Sequence, residues 1–164
     1  MMVVAVGITS EEVRSLAGSA ARVVRGPGVM KSLVVSGDRG LRNRLEAVAE
    51  LSGWSACDAP GDAADLSAAV EGEYQLVVVD IANPVGDRVN DSIEIAEEFA
   101  GRSGTLLVVC GSDDNVDEEL WARQLGAWVY LPGVSSGDAL VSLFSDARRV
   151  AERRCVGQFV SFGV

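Results

Sequence analysis

Histidine is absent from the 164-residue chain, which excludes His-based acid–base catalysis, a phosphohistidine relay within the chain and the usual His-containing zinc or haem sites. Cysteine is scarce: Cys57, Cys110 and Cys155 are odd in number, far apart and without CxxC spacing. They are expected as buried thiols in a reducing compartment, not as a disulfide framework, and the chain is expected to be cytoplasmic. Basic residues are few, 14 against 24 acidic, for a formal net charge of −10. Such a surface repels phosphates and anionic lipid, so neither nucleic acid nor membrane is expected as a partner. No apolar run approaches the roughly 18 residues of a membrane span, and the opening MMVVAVGITSEE lacks a basic stretch ahead of its apolar run. Only 4 prolines interrupt the chain, so regular elements can run through most of it.

With 48% hydrophobic and 23% charged residues, the chain can close one sizeable core and is too apolar for a disordered segment. Strand-sized apolar runs fall at 33–35, 55–57, 76–79, 106–110 and 128–131. Between them lie segments with helical spacing. The first carries Leu41, Leu45, Val48 and Ser52 on one face; others run over 62–70, 91–100 and 115–125. The last places Leu140, Leu143, Phe144, Ala147 and Ala151 together behind a Ser135 or Ser136 cap. Strands written as continuous Val and Leu runs, alternating with helices, predict a doubly wound α/β domain with a parallel sheet over 31–154. In such sheets ligands sit beyond the carboxyl ends of the strands, which singles out 36–38, Asp80, 110–112 and 131–133.

Residues 1–30 are expected as a separate appendage. It comprises a strand at 3–6, which should find a pairing partner because an unpaired Val-rich strand invites aggregation, and a helix over 10–24 opened by a Thr9/Glu12 capping box. Arg25-Gly26-Pro27-Gly28 breaks the chain after it. The tail, 155–164, alternates from Val156 onward in a pattern consistent with one more strand.

Asp80 is the most informative residue. LVVVDIANP puts one carboxylate where a wholly apolar strand emerges, with Pro84 four residues later, and GAWVYLPG follows at 126–133. Together with the fivefold βα rhythm, these motifs resemble the CheY-like receiver domain of response regulators over about 31–152. The resemblance implies a five-stranded flavodoxin-like sheet of order 2-1-3-4-5 and places Asp80 at the phosphoacceptor position.

The same resemblance locates what the chain has lost. An acidic pair after the first strand holds magnesium in the family; here Ser36 and Gly37 stand there, with Asp38 one place later. The phosphate-contacting Thr or Ser corresponds to Cys110, the fifth-strand lysine to Gly133, and the switch aromatic to Tyr130. This makes the expected form a degenerate receiver, or pseudo-receiver, without enzymatic activity or a resident cofactor. Its expected role is a phosphorylation-independent interaction module in bacterial signalling, binding a protein partner or forming a homodimer. Trp121, Trp128 and Tyr130 mark the expected contact face, since clustered aromatics favour association. Two alternatives stand beside it. One is an active phospho-receiver in which Asp80 and Asp38 hold magnesium weakly; the other is a domain whose vacated pocket takes a small anion or metabolite. Arg39 is a candidate replacement cation above Asp80. A strand-ending aspartate can also simply serve its loop, accepting backbone N–H groups. Gly37-Asp38-Arg39-Gly40 fits no nucleotide motif, and the acidic run 113–119 reads as the first turn of a helix favoured by the helix dipole.

Overall fold

The computed structural model describes residues 28–86, 89–133 and 137–158. Ten elements alternate along them: β1 (Lys31–Val35), α1 (Arg39–Leu51), β2 (Ala56–Asp58), α2 (Ala63–Val70), β3 (Leu76–Asp80), α3 (Val89–Ala100), β4 (Leu106–Gly111), α4 (Val116–Leu125), β5 (Val129–Pro132) and α5 (Gly137–Gln158). All neighbouring strands pair in parallel, in the order β2-β1-β3-β4-β5. This is the doubly wound sheet of CheY-like proteins, as the sequence predicts.

Every residue of β3 and β4 is buried, which is why these strands read as unbroken apolar runs: each alternate side chain meets a helix layer of its own. Val34, Leu76, Val78 and Val108 face one core with Leu41 and Leu45 of α1 and Phe144 of α5. Leu33, Val77, Val79 and Val109 face a second core with Leu66 of α2, Phe99 of α3 and Ala122 of α4. Helix starts follow the caps. Asp38 Oδ1 accepts the Gly40 and Leu41 N–H groups, Asp62 that of Asp65, and Asn115 those of Asp117 and Glu118.

Trp54, not anticipated from sequence, ties the first core together. Its indole Nε1 donates to the Phe144 carbonyl at 3.2 Å, joining the loop after α1 to α5. Ser52, expected on the apolar stripe of α1, instead caps its C-terminus, and Ala49 is buried in its place. The Ser52 carbonyl accepts from Arg148 at 3.3 Å. Met30 is 3% exposed in the same core, so this core extends at least one residue ahead of β1.

The strand expected from Val156 does not begin there, because α5 continues to Gln158. An i,i+4 ion pair between Arg148 and Glu152 supports this stretch. The expected elements at 3–6 and 10–24, the Thr9/Glu12 box, the break at 25–27, the Ser135 or Ser136 cap and the tail from 159 lie outside the described residues.

Phe144 is fully buried, whereas Leu120 is 53% exposed. Phe144→Ala is expected to cost about 3–5 kcal/mol of stability, and Leu120→Ala within about 0.5 kcal/mol of nothing. Urea unfolding of both variants measures the contrast.

Candidate functional site

The register that pairs Val35 with Val79 and Asp80 with Cys110 brings the ends of β1, β3 and β4 to one edge of the sheet. Asp80 emerges there only 2% exposed. An ionised carboxylate so placed needs donors on both oxygens, and the chain supplies four. Oδ2 accepts from Ser36 Oγ at 2.7 Å and Asn83 Nδ2 at 3.1 Å. Oδ1 accepts from the backbone N–H of Ala82 at 3.1 Å and of Asn83 at 3.2 Å. Two donors per oxygen fill the acceptor capacity of the group. The loop-serving geometry foreseen for a strand-ending aspartate is therefore present, together with a side-chain partner 44 residues away in sequence.

Ser36 is the centre of the arrangement. While donating to Asp80, its hydroxyl accepts the Asp38 N–H at 3.1 Å, and its carbonyl accepts from Arg42 at 2.7 Å. Gly37 brings the two loops into contact: its N–H donates to the Asn83 carbonyl at 2.6 Å, and a Cβ there would stand 2.3 Å from the Pro84 oxygen. A side chain of any kind at 37 would push the loops apart.

The residues at this edge do not fit the magnesium ion that the receiver resemblance implies. Octahedral oxygen coordination needs carboxylate oxygens free to bind. Asp80 has its lone pairs occupied, Asp38 turns its Oδ1 to the N-terminus of α1, and Ser36 and Gly37 bring no charge. Among the described residues no group of three or more Cys, Asp or Glu side chains stands close enough to hold a metal. Arg39, the candidate replacement cation, is exposed and makes no hydrogen bond to Asp80; Arg42 is the guanidinium that reaches this edge. The N–H groups of Gly40 and Leu41, the donors an anion would need, are taken by Asp38.

Cys110, at the Thr or Ser position, is buried beside Asp80 in the first core. Burial, with a smaller contribution from the Asp80 charge, pushes its thiol from the ordinary 9.0 up to about 12. It is a neutral packing group. Gly133, at the lysine position, has φ +70°, a left-handed backbone that a side chain adopts at a cost. An added Cβ would also meet Asp113 Oδ1 at 2.1 Å.

Tyr130 is held by α4. Its hydroxyl lies 3.3 Å from Glu118 Oε2 and from the Ser112 carbonyl, and Glu118 Oε2 also accepts the Ser112 N–H at 2.8 Å. Burial first, then the Glu118 charge and hydrogen bond, raise the phenol from 10.0 to about 12. The expected aromatic face is divided: Trp121 and Tyr130 pack against the second core, whereas Trp128 packs against the first, on the other side of the sheet.

Sequence reasoning missed Asn83, Glu118 and Trp54. Asn83 alone had a local signal, since an Asp followed three residues on by Asn, ahead of Pro, suits an aspartate-anchored turn.

No family model and no curated protein sequence matches the chain. Solved structures do. A CheY-like response regulator receiver domain protein from Methanospirillum hungatei JF-1 superposes with TM-score 0.63 at 17% identity, covering 77% of this chain and 98% of that one. An orphan response regulator of H. pylori gives 0.59 at 20% identity over 73% and 97%. A response regulator from Thermotoga maritima gives 0.59 at 15% identity over 73% and 97%. At this level of identity the likeness shows the fold, and the chain has the CheY-like receiver fold.

Two outcomes follow from the site. Ser36→Ala is expected to lower stability by about 1–3 kcal/mol, the cost of leaving a buried charged acceptor one donor short. Denaturant unfolding measures it, and an unchanged midpoint would show that the Ser36–Asp80 bond contributes nothing. Cys110 and Tyr130 hold their protons more tightly when folded, so their contribution is complete below about pH 9 and is lost as pH rises toward about 12. Stability should fall across that alkaline window, and less steeply in Cys110→Ala.

Proposed function

We propose that the chain is a pseudo-receiver: a phosphorylation-independent, non-enzymatic interaction module that works in bacterial-type signal transduction in the cytoplasm. The observation that carries the reading is the saturation of Asp80. Phosphoryl transfer to a carboxylate needs a free oxygen held in line and a cation to gather charge. Here both oxygens are engaged by the chain's own donors, and neutral Ser36 stands where the resemblance implies an acid. Preorganised electrostatic contacts each contribute kilocalories to such a reaction, so their joint replacement favours a scaffold role over a chemical one. The receiver fold of the structural neighbours supports placing that scaffold in signalling, although fold by itself does not dictate activity.

The module works by presenting surfaces to a protein partner or to a second copy. Val116 and Leu120, one turn apart on α4, are 76% and 53% exposed, and Trp121 is half-buried beside them. This helix, without Trp128, is what supports the α4–β5 side as a contact face.

Acetyl phosphate with millimolar magnesium is expected to leave Asp80 unmodified. Intact-mass spectrometry showing a stoichiometric phosphoryl adduct that disappears in Asp80→Asn would overturn the reading and favour a working phospho-receiver.

A further inference from the structure

Between α2 and α3 runs an open groove of about 310 Å³, at the lower end of the roughly 300–1,000 Å³ typical of small-molecule sites. Its two walls are single helix faces. Ala63, Leu66, Ser67 and Val70 line it from α2, and Asp91, Glu94, Ile95 and Glu98 from α3, each set at i, i+3, i+4, i+7 spacing. Leu66 and Val85 form a buried floor, while Ile95 and Val70 are half-exposed along the sides. On a helix wall facing an apolar floor, three of four α3 positions are carboxylates, and Glu71 adds a fourth at the end of α2.

Among the described residues that line it, the charge is of one sign. Neither α2 nor α3 carries a single Lys or Arg. Arg102, following α3, is already committed: it donates to the Val70 carbonyl at 2.8 Å and the Gly72 carbonyl at 2.9 Å, and pairs with Glu98. It also covers the Phe99 ring at 4.2 Å. In doing so it fastens the end of α2 to α3, so the groove is held in shape before anything enters it, which lowers the cost of binding. Arg88 lies outside the described residues.

We propose that this groove docks a basic amphipathic helix of a partner protein, its apolar side chains entering between Leu66 and Ile95 and its Lys or Arg side chains meeting Glu71, Asp91 and Glu94. The inference rests on the interaction-module reading and names the partner's chemistry. Charge complementarity decides the occupant. A second copy of this chain is repelled as a whole at −10, and of the four arginines its α5 could offer, Arg148 and Arg149 are paired with Glu152 and Asp146 of the same helix; phosphates of nucleic acid or lipid meet the repulsion of the rim directly. A basic helix satisfies the rim and buries the apolar strip at once, the mode in which an amphipathic helix lies in a groove.

The test uses the full chain and a Lys–Leu amphipathic helical peptide, with a scrambled peptide of equal composition as control. Fluorescence anisotropy should show the amphipathic peptide binding at least about tenfold more tightly, and amide shifts on titration should cluster on α2 and α3. The double variant Glu71→Lys/Glu94→Lys should weaken binding by about tenfold or more, a difference of about 1.4 kcal/mol. Glu46→Lys/Glu50→Lys on α1 makes the same change in net charge and should stay within about twofold of the parent. Equal binding of the scrambled peptide, equal weakening by the α1 variant, or shifts centred elsewhere would overturn the proposal and leave only a general attraction to an acidic surface. Phosphorylation of Asp80 would overturn the function proposed above without touching the groove. A groove that fails to bind would leave that function standing.

Discussion

A single charge at the end of the most buried strand constrains the whole edge of this sheet. Asp80 terminates a strand with no exposed residue, and its carboxylate can remain there only if donors replace the water it has lost. The replacement comes from three directions: Ser36 at the end of β1, the backbone of the loop following β3, and the Asn83 amide. Since Ser36 also receives the Asp38 N–H, and Asp38 caps α1, the start of that helix is indexed to the same carboxylate. The Gly37–Asn83 backbone bond closes the arrangement. Register between β1 and β3, the course of the loop at 81–84 and the entry to α1 are therefore one coupled problem, solved around one acid.

This explains both what the sequence discloses and what it hides. The inner strands β1, β3 and β4 were legible because burial on two faces imposes continuous apolar runs, the half-buried edge strands β2 and β5 from their place in the alternation, and the helices in part because their ends carry caps such as Asp62 and Asn115. Asp80 was legible because a lone acid after LVVV is conspicuous. Its principal donor was not: Ser36 reads as an absence when compared with an acidic pair, and only the β1–β3 pairing shows a serine hydroxyl 2.7 Å from the carboxylate. Trp54 was hidden for the same reason, its partner being the backbone of Phe144, 90 residues away. Periodicity locates elements along a chain, but hydrogen bonds between loops depend on register, which periodicity leaves open.

The aromatic face illustrates the opposite error, of reading sequence neighbours as spatial ones. Strand alternation would put residues two apart on one side of the sheet, but Trp128 lies one residue ahead of β5 and packs with Val129 in the first core, while Tyr130 packs in the second. At the C-terminus an alternating pattern competed with the continuation of a long helix. The helix prevailed through Gln158, where Arg148 and Glu152 sit on one flank of the preceding turns.

The remaining site positions bear on how such a module can act. A receiver that reports its own phosphorylation needs a polar route from the acid to the far helix. Beside Asp80 on β4 stands Cys110, whose thiol is neutral and packed into the first core, on the opposite side of the sheet from α4. Beyond it Tyr130 is bonded to Glu118, which also anchors the Ser112 backbone at the end of β4. Tyr130 is thereby tied both to an acid of α4 and to the Ser112 carbonyl at the end of β4, and Gly133 has a backbone on which a lysine would be strained. Allosteric coupling needs an element with two arrangements that a ligand can bias. The contacts at this edge satisfy one arrangement fully, so on the proposed reading the surfaces of the module stand ready without a signal. Control would then come from the partner's abundance or from competition for a surface, not from chemistry at Asp80.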